Sequence, residues 1–167
     1  MTEGAPLPPR LSIELTARCN FACPFCYGVW HEHPAWGGPE LATAEWAAVL
    51  SDCARRGVRS VQFTGGEPLL REDLDELCDR ALAAGLKVAV YTNASLLTEE
   101  RLLSFQRRGV RLSTSLQGIK SHAEMTGTDR GPWPTLESVE RAREIGWAMG
   151  VGVPLRAAMS ASVSGFA

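Results

Sequence analysis

LSIELTARCNFACPFCYG (residues 11–28) joins a short strand-like run to a loop that carries three cysteines. LSIELT (11–16) is apolar and β-branched, the composition of a strand. From Ala17 to Leu41 the chain reads as one long loop holding Cys19, Cys23 and Cys26, then His31 and His33, among prolines and glycines. The cysteine spacing is C-x3-C-x2-C. Five cysteines in all, an odd number, with no secretory signal ahead of them, point to metal binding rather than a disulfide framework. Three neighbouring thiolates can hold three irons of a cubane and leave the fourth iron open to another molecule. A structural zinc knuckle with His31 or His33 as fourth ligand is the other reading. Cys53 and Cys78 sit at helical positions and are read as small buried apolar residues, not as ligands.

Outward from this loop the chain alternates strand and helix. Thr43 is expected to cap a helix to about Arg56, with Trp46, Ala47, Leu50 and Ala54 on one face and Gly57 as its stop. VRSVQFT (58–64) is a strand, Asp73 to Ala84 a helix, LKVAVYT (86–92) a strand, and Thr98 to Arg108 a helix. VRLSTSL (110–116) is a strand, Thr135 opens a helix to about Met149, and VGVPLRAAM (151–159) is a fifth strand. This rhythm predicts an α/β fold: parallel strands joined by right-handed crossovers, with sites at the carboxyl ends of the strands. Each further motif lies at such an end. QFTGGEPLL (62–70) leaves the second strand with two glycines and a carboxylate, YTNAS (91–95) the third, and STSLQG (113–118) the fourth.

The cysteine spacing followed about forty residues later by GGEP resembles the radical S-adenosylmethionine (radical SAM) superfamily. The resemblance implies a [4Fe–4S] cluster on Cys19, Cys23 and Cys26, with S-adenosylmethionine bound beside it. It makes Phe25 the aromatic before the third cysteine, and it sets the backbone of Tyr27 against the adenine. Gly65, Gly66, Glu67 and Pro68 would bind the methionine amino group. Asn93 would line the pocket, although asparagine at a strand end is also an ordinary turn residue. Ala94 stands where these enzymes usually have glycine. Ser115 would approach the ribose or the methionyl carboxylate, with Gln117 in place of the usual aspartate. Arg141, in GTDRGPWPTLESVERARE (127–144), is the candidate carboxylate-binding arginine; a solvated helix arginine is the plain alternative.

The implied chemistry is reductive cleavage of S-adenosylmethionine to a 5′-deoxyadenosyl radical that abstracts hydrogen. CPFCYG, TNA and SLQG are similar to members that modify peptides or proteins. A one-electron donor such as a flavodoxin or ferredoxin is implied as partner. A noncatalytic remnant that keeps the motifs is a further reading. The resembled core has six strands and six helices. With about five strands and four helices, this chain is expected to be a partial barrel, truncated at its C-terminal side, a poor catalyst alone and able to associate through an exposed sheet edge. Residues 1–10 are expected to be a loose lead-in and 11–167 the core. An apolar share of 45%, a charged share of 22% and a net charge of -2 describe an ordinary globular chain with no basic field for nucleic acid. No run reaches the length of a membrane span, and the cytoplasm is the expected compartment.

Overall fold

The computed structural model of the chain describes residues 5–28 and 39–152. Five strands form one parallel sheet in the order β1-β2-β3-β4-β5: Arg10–Thr16, Ser60–Gly65, Lys87–Thr92, Arg111–Ser115 and Gly150–Gly152. Five α-helices connect them: α1 (Thr43–Arg55), α2 (Leu74–Ala83), α3 (Glu99–Arg108), α4 (His122–Thr126) and α5 (Trp133–Glu144), with a 3-10 turn at Pro68–Leu70. The sheet is an open arc, the expected partial barrel.

One face of the sheet carries the core. Ile13, Leu15, Val61, Phe63, Val88, Val90 and Leu112 alternate along their strands and meet Leu50, Leu74, Leu77, Leu102 and Phe105 from the helices. Cys53 and Cys78 lie in this core, as their helical positions imply. Burial pushes the Cys78 thiol up to about 12.

Several boundaries differ from the sequence expectation, and two share a cause. Thr43 does not cap α1: Ala42 precedes the helix, its N–H bonded to the Glu45 carboxylate at 2.8 Å, while the Thr43 hydroxyl donates to Asp73 at 2.7 Å. Likewise α5 begins at Trp133, before Thr135, whose hydroxyl donates to the Asn93 carbonyl at 2.8 Å. Pro132 and Pro134 start α5 instead, since a missing N–H costs nothing in a first turn. The helix ends at Glu144 rather than Met149, because Gly146 turns left-handed at φ 70°. Thr98 does cap α3, accepting from the Arg101 N–H at 3.2 Å. The short α4 was not expected, and β5 starts at Gly150, with 153–159 outside the described residues.

Ahead of β1 the chain is pinned to the α1–β2 corner. Leu7 N–H donates to the Arg56 carbonyl, the Pro9 carbonyl accepts from Arg59 and Ser60, and the Arg56 guanidinium holds the Ala5 carbonyl. Among the described residues no helix is long and apolar enough to cross a membrane.

Candidate metal and cofactor site

The cysteine loop leaves β1 at Thr16 and is gripped at once by the exit of β2. Gly66 N–H donates to the Thr16 carbonyl at 2.8 Å, and Glu67 N–H to the Arg18 carbonyl at 2.7 Å. The two glycines are required by this approach. Gly65 has φ +127°, and a Cβ on it would overlap the Thr16 backbone. A Cβ on Gly66 would overlap the Arg18 carbonyl group, immediately before Cys19.

Two further elements brace the loop. Asn20 donates to Ser95 at 2.9 Å and accepts from the Asn93 amide at 2.8 Å, which ties it to the exit of β3. Ala22 N–H donates to the Thr126 carbonyl at the end of α4 at 2.8 Å, and Gly127 leaves room for that contact, since a Cβ there would lie 2.6 Å from the Ala22 oxygen. Phe21 meets the His122 ring edge-on at 5.7 Å. Within the loop a turn closes from Cys23 to Cys26, the N–H of the latter donating to the carbonyl of the former at 3.0 Å.

The return of the loop is held by a residue that sequence reasoning missed. Arg71 is 5% exposed, and its guanidinium bonds the Leu15 carbonyl, the Leu41 carbonyl, Glu40 and Asp73. Glu40 in turn accepts from Thr16 and Arg18. The Arg18 and Thr16 donors and the two arginine charges hold the Glu40 carboxyl below its usual range despite desolvation, and the Arg71 guanidinium lowers Asp73. The signal was present: Arg71 follows the GGEPLL run directly.

Cys19, Cys23 and Cys26 line one cavity of about 350 Å³ at the carboxyl ends of the strands. Phe25, Tyr27, Gly66, Asn93, Ser115 and Gln117 line it too. Phe25 and Tyr27 are exposed at its mouth, and the Tyr27 hydroxyl has Thr64 and Glu14 as hydrogen-bond partners. Burial raises the Cys19 thiol, and burial with the neighbouring cysteine charges pushes Cys23 up to about 11. Three thiols crowded on one short loop are the donor set of a site completed by a cationic metal centre, whose binding expels thiol protons.

Four expected site residues, Gly65, Glu67, Pro68 and Arg141, sit apart from the cavity. The Glu67 carboxylate is fully buried and faces inward, accepting from Leu69 N–H at 2.9 Å, the Thr92 hydroxyl at 2.6 Å and Asn93 N–H at 2.8 Å. Burial pushes its pKa up against the pull of those donors. Of the segment Gly65–Pro68, Gly66 alone borders the cavity. Pro68 is buried at the head of the 3-10 turn. Arg141 lines a different cleft, between the entry of α3 and α5, with Glu137 and Ser138.

The cavity wall from β4 has unused polar atoms. Among the described residues Thr114 Oγ1 and Gln117 Oε1 are buried with no hydrogen-bond partner, although Gln117 Nε2 donates to Ser115 at 2.9 Å. Both residues line the cavity, where a bound ligand can pair them. The residues therefore fit an iron–sulfur cluster with a polar cofactor beside it. Among the described residues no three His, Cys, Asp or Glu side chains converge on a single-ion position. A cubane needs no such point, because each iron takes its own thiolate. His31 and His33, the candidate zinc ligands, lie outside the described residues.

An open parallel α/β arc with a C-x3-C-x2-C loop against a GGE strand exit defines a class of metal-dependent half-barrels. The chain belongs to the radical SAM superfamily, which residues 13–155 match. It is 42% identical over 131 residues to a PqqA peptide cyclase of Rhodopseudomonas palustris, covering 78% of this chain and 33% of that protein. It is 36% identical over 132 residues to a probable GTP 3′,8-cyclase of Methanopyrus kandleri, covering 78% of this chain and 42% of that one. The chain thus spans a third to two fifths of the length of these curated relatives. The fold is shared with Streptococcus suis SuiB bound to its precursor peptide SuiA, at TM-score 0.75 and 24% identity over 86% of this chain and 32% of that one.

Proposed function

We propose that this chain forms the cluster- and cofactor-binding part of a radical SAM enzyme that acts on a peptide. The observation that carries this reading is the meeting of three loop thiols with two orphaned polar atoms, Thr114 Oγ1 and Gln117 Oε1, around one cavity. Cys19, Cys23 and Cys26 hold a [4Fe–4S] cluster, and the cavity beside them holds S-adenosylmethionine. A cluster held by Cys19, Cys23 and Cys26 would supply one-electron reduction, and S-adenosylmethionine bound beside it would supply the means of hydrogen-atom abstraction. A small one-electron carrier protein is the reductant.

The chain's own residues position these groups. Gly65 and Gly66 let the β2 exit lie against the cysteine loop, and Glu67 anchors the end of β3 to that exit by its bonds to Thr92 and Asn93. Thr114, Ser115 and Gln117 offer neutral hydrogen-bonding groups to the cofactor's polar end. Phe25 and Tyr27 close the mouth of the cavity with apolar area. The peptide substrate is favoured by similarity to a peptide cyclase.

The test is anaerobic reconstitution of the chain with iron and sulfide, followed by electron paramagnetic resonance with and without S-adenosylmethionine. About four irons per chain, lost in each of Cys19→Ala, Cys23→Ala and Cys26→Ala and kept in Cys53→Ala, together with a cofactor-induced change in the reduced spectrum, is the expected result. Zinc retention without iron uptake would sink the proposal.

A further inference from the structure

Both ends of the stretch that carries the thiols come back to one side chain. Leu15 stands near the end of β1, ahead of the stretch, and Leu41 leads into α1 behind it. The Arg71 guanidinium lies between their carbonyls. A guanidinium has five N–H donors in a fixed planar fork, and Arg71 makes five bonds. Nε and Nη2 grip the two Asp73 oxygens at 2.8 and 2.7 Å. Nη1 donates to the Leu15 carbonyl at 3.0 Å and to Glu40 at 3.4 Å, and Nη2 also reaches the Leu41 carbonyl at 3.1 Å.

These bonds sort into an anchor and a clasp. Asp73, just ahead of α2, is the anchor, and the Thr43 hydroxyl donates to it as well at 2.7 Å. Arg101 holds the same corner by donating to the Leu69 and Arg71 carbonyls. Leu15, Leu41 and Glu40 are the clasp. Glu40 passes the hold on, since it also accepts from the Thr16 hydroxyl and from two Arg18 N–H groups at 3.0 and 3.2 Å. Arg18 directly precedes Cys19, and its carbonyl is the one that the Glu67 N–H grips. A continuous run of bonds therefore leads from the α2 corner to the residue beside the first thiol. Among the described residues no other side chain bonds both Leu15 and Leu41.

The arrangement needs arginine. Lysine carries three donors on one nitrogen and cannot serve both carboxylates and both carbonyls together. A cation that only steadied α2 would be complete with Asp73. Arg71 spends its remaining donors on the two ends of a long stretch, and ends held together narrow what the chain between them samples.

We propose that Arg71 is a positioning residue for the thiols: it fastens both ends of their loop to one point, fixes the root at Cys19, and so sets how firmly the site keeps a cluster. The proposal rests on the cluster reading above and adds to it a residue outside the cavity wall.

The test uses the full chain with Arg71→Lys, which keeps the charge and loses the fork, and Glu40→Gln, which weakens the clasp alone at a side chain 30% exposed. Asp52→Asn, an exposed carboxylate paired with Arg55 and Arg56 on α1, is the control for charge. Reconstituted proteins are timed for anaerobic iron release to an excess of a ferrous chelator. Metal-free proteins are followed by amide exchange, read by mass spectrometry, beside a urea melt. Arg71→Lys should release iron roughly tenfold faster than the parent, the worth of one charge-assisted bond. Glu40→Gln should release it roughly threefold faster with an unchanged urea midpoint. Exchange at Gly66 and Glu67, whose N–H groups hold Thr16 and Arg18, should quicken in both variants while β3 keeps its rate. Asp52→Asn should match the parent throughout. If Arg71→Lys lowers the urea midpoint, Glu40→Gln decides alone. Iron release from Glu40→Gln at the parent rate would overturn the proposal, as would equal quickening of exchange in its β3, the mark of a residue that serves only the fold. A parent chain that takes up no iron would count against the cluster reading alone. Metal-free exchange then decides: quickened at Gly66 and Glu67 it supports the positioning role, and unchanged it overturns it.

Discussion

The exits of β2 and β4, one strand apart, treat buried polar groups in opposite ways. At β2, the Glu67 carboxylate is fully enclosed, and three donors of the chain itself satisfy it. At β4, Thr114 Oγ1 and Gln117 Oε1 are also buried and have no partner. The first exit is closed architecture: each atom there holds another strand or loop in place. The second leaves two polar atoms unused at the cavity wall. The difference separates residues that build the site from residues that read its contents, even though both groups are polar, buried and next to the same thiols.

The contrast makes unequal demands on substitution. The largest effect is expected at Gly66→Val. Its side chain would have to enter the Arg18 carbonyl, and overpacking against backbone should cost about 3 kcal/mol or more. The midpoint of urea unfolding should fall and the cluster should be lost with it. Glu67→Gln keeps the shape but turns an amide NH2 toward a donor N–H. It should lower stability by about 1–3 kcal/mol, read from urea melts of the cluster-free chain. A Glu67→Gln protein of unchanged stability but weakened S-adenosylmethionine binding would move this side chain from the building group to the reading group.

Thr114→Val tests the other exit. The hydroxyl has no partner, so stability should stay within about 0.5 kcal/mol of the parent. Affinity for S-adenosylmethionine should drop roughly fivefold, the value of one neutral hydrogen bond. Isothermal titration of the reconstituted protein measures it, and unchanged affinity would erase the distinction between the exits. Smaller still is Ala94→Gly. Ala94 is buried at φ 60°, a left-handed conformation that costs a non-glycine residue about 1 kcal/mol. Glycine should recover up to that amount in a thermal melt.

The smallest effect concerns His122, which is 1% exposed, with both ring nitrogens unpartnered. Burial holds its pKa below the ordinary value of about 6.5. A depressed folded value means that stability is complete above that pH and is lost as pH falls toward and through the folded pKa. His122→Phe should flatten the stability profile on the acid side of pH 6.5, and a profile unchanged in slope would exclude His122 as its source.

The strands and their parallel direction were legible because apolar residues alternate cleanly between glycine stops and helices intervene. The thiol loop and the GGEP exit were legible because their residue types are uncommon and closely spaced. Other features depended on partners remote in sequence. Thr43 and Thr135 look like caps, and only the approach of Asp73 and of the Asn93 carbonyl shows otherwise. Glu67 looked like a ligand group because a carboxylate at a strand end usually faces solvent; the Thr92 hydroxyl and the Asn93 N–H that enclose it lie a strand away. Arg71 went unread for the same reason, since the carbonyls it bonds belong to Leu15 and Leu41. Helix α4 has five residues, too few to show a period.

The bond from Ala22 to the Thr126 carbonyl has a consequence in time. About a hundred residues separate the two, and at roughly 5–20 residues per second a ribosome needs on the order of five to twenty seconds to make them. Throughout that interval the thiol loop exists without the brace from α4. The β2 glycines arrive first, after about forty residues, so the root of the loop is fixed before its crown. Metal loading that needs a finished loop must wait for the chain's later half, while a nascent chain arrested near β3 would present the same cysteines with the β2 glycine and Arg71 contacts in place and the brace from α4 missing.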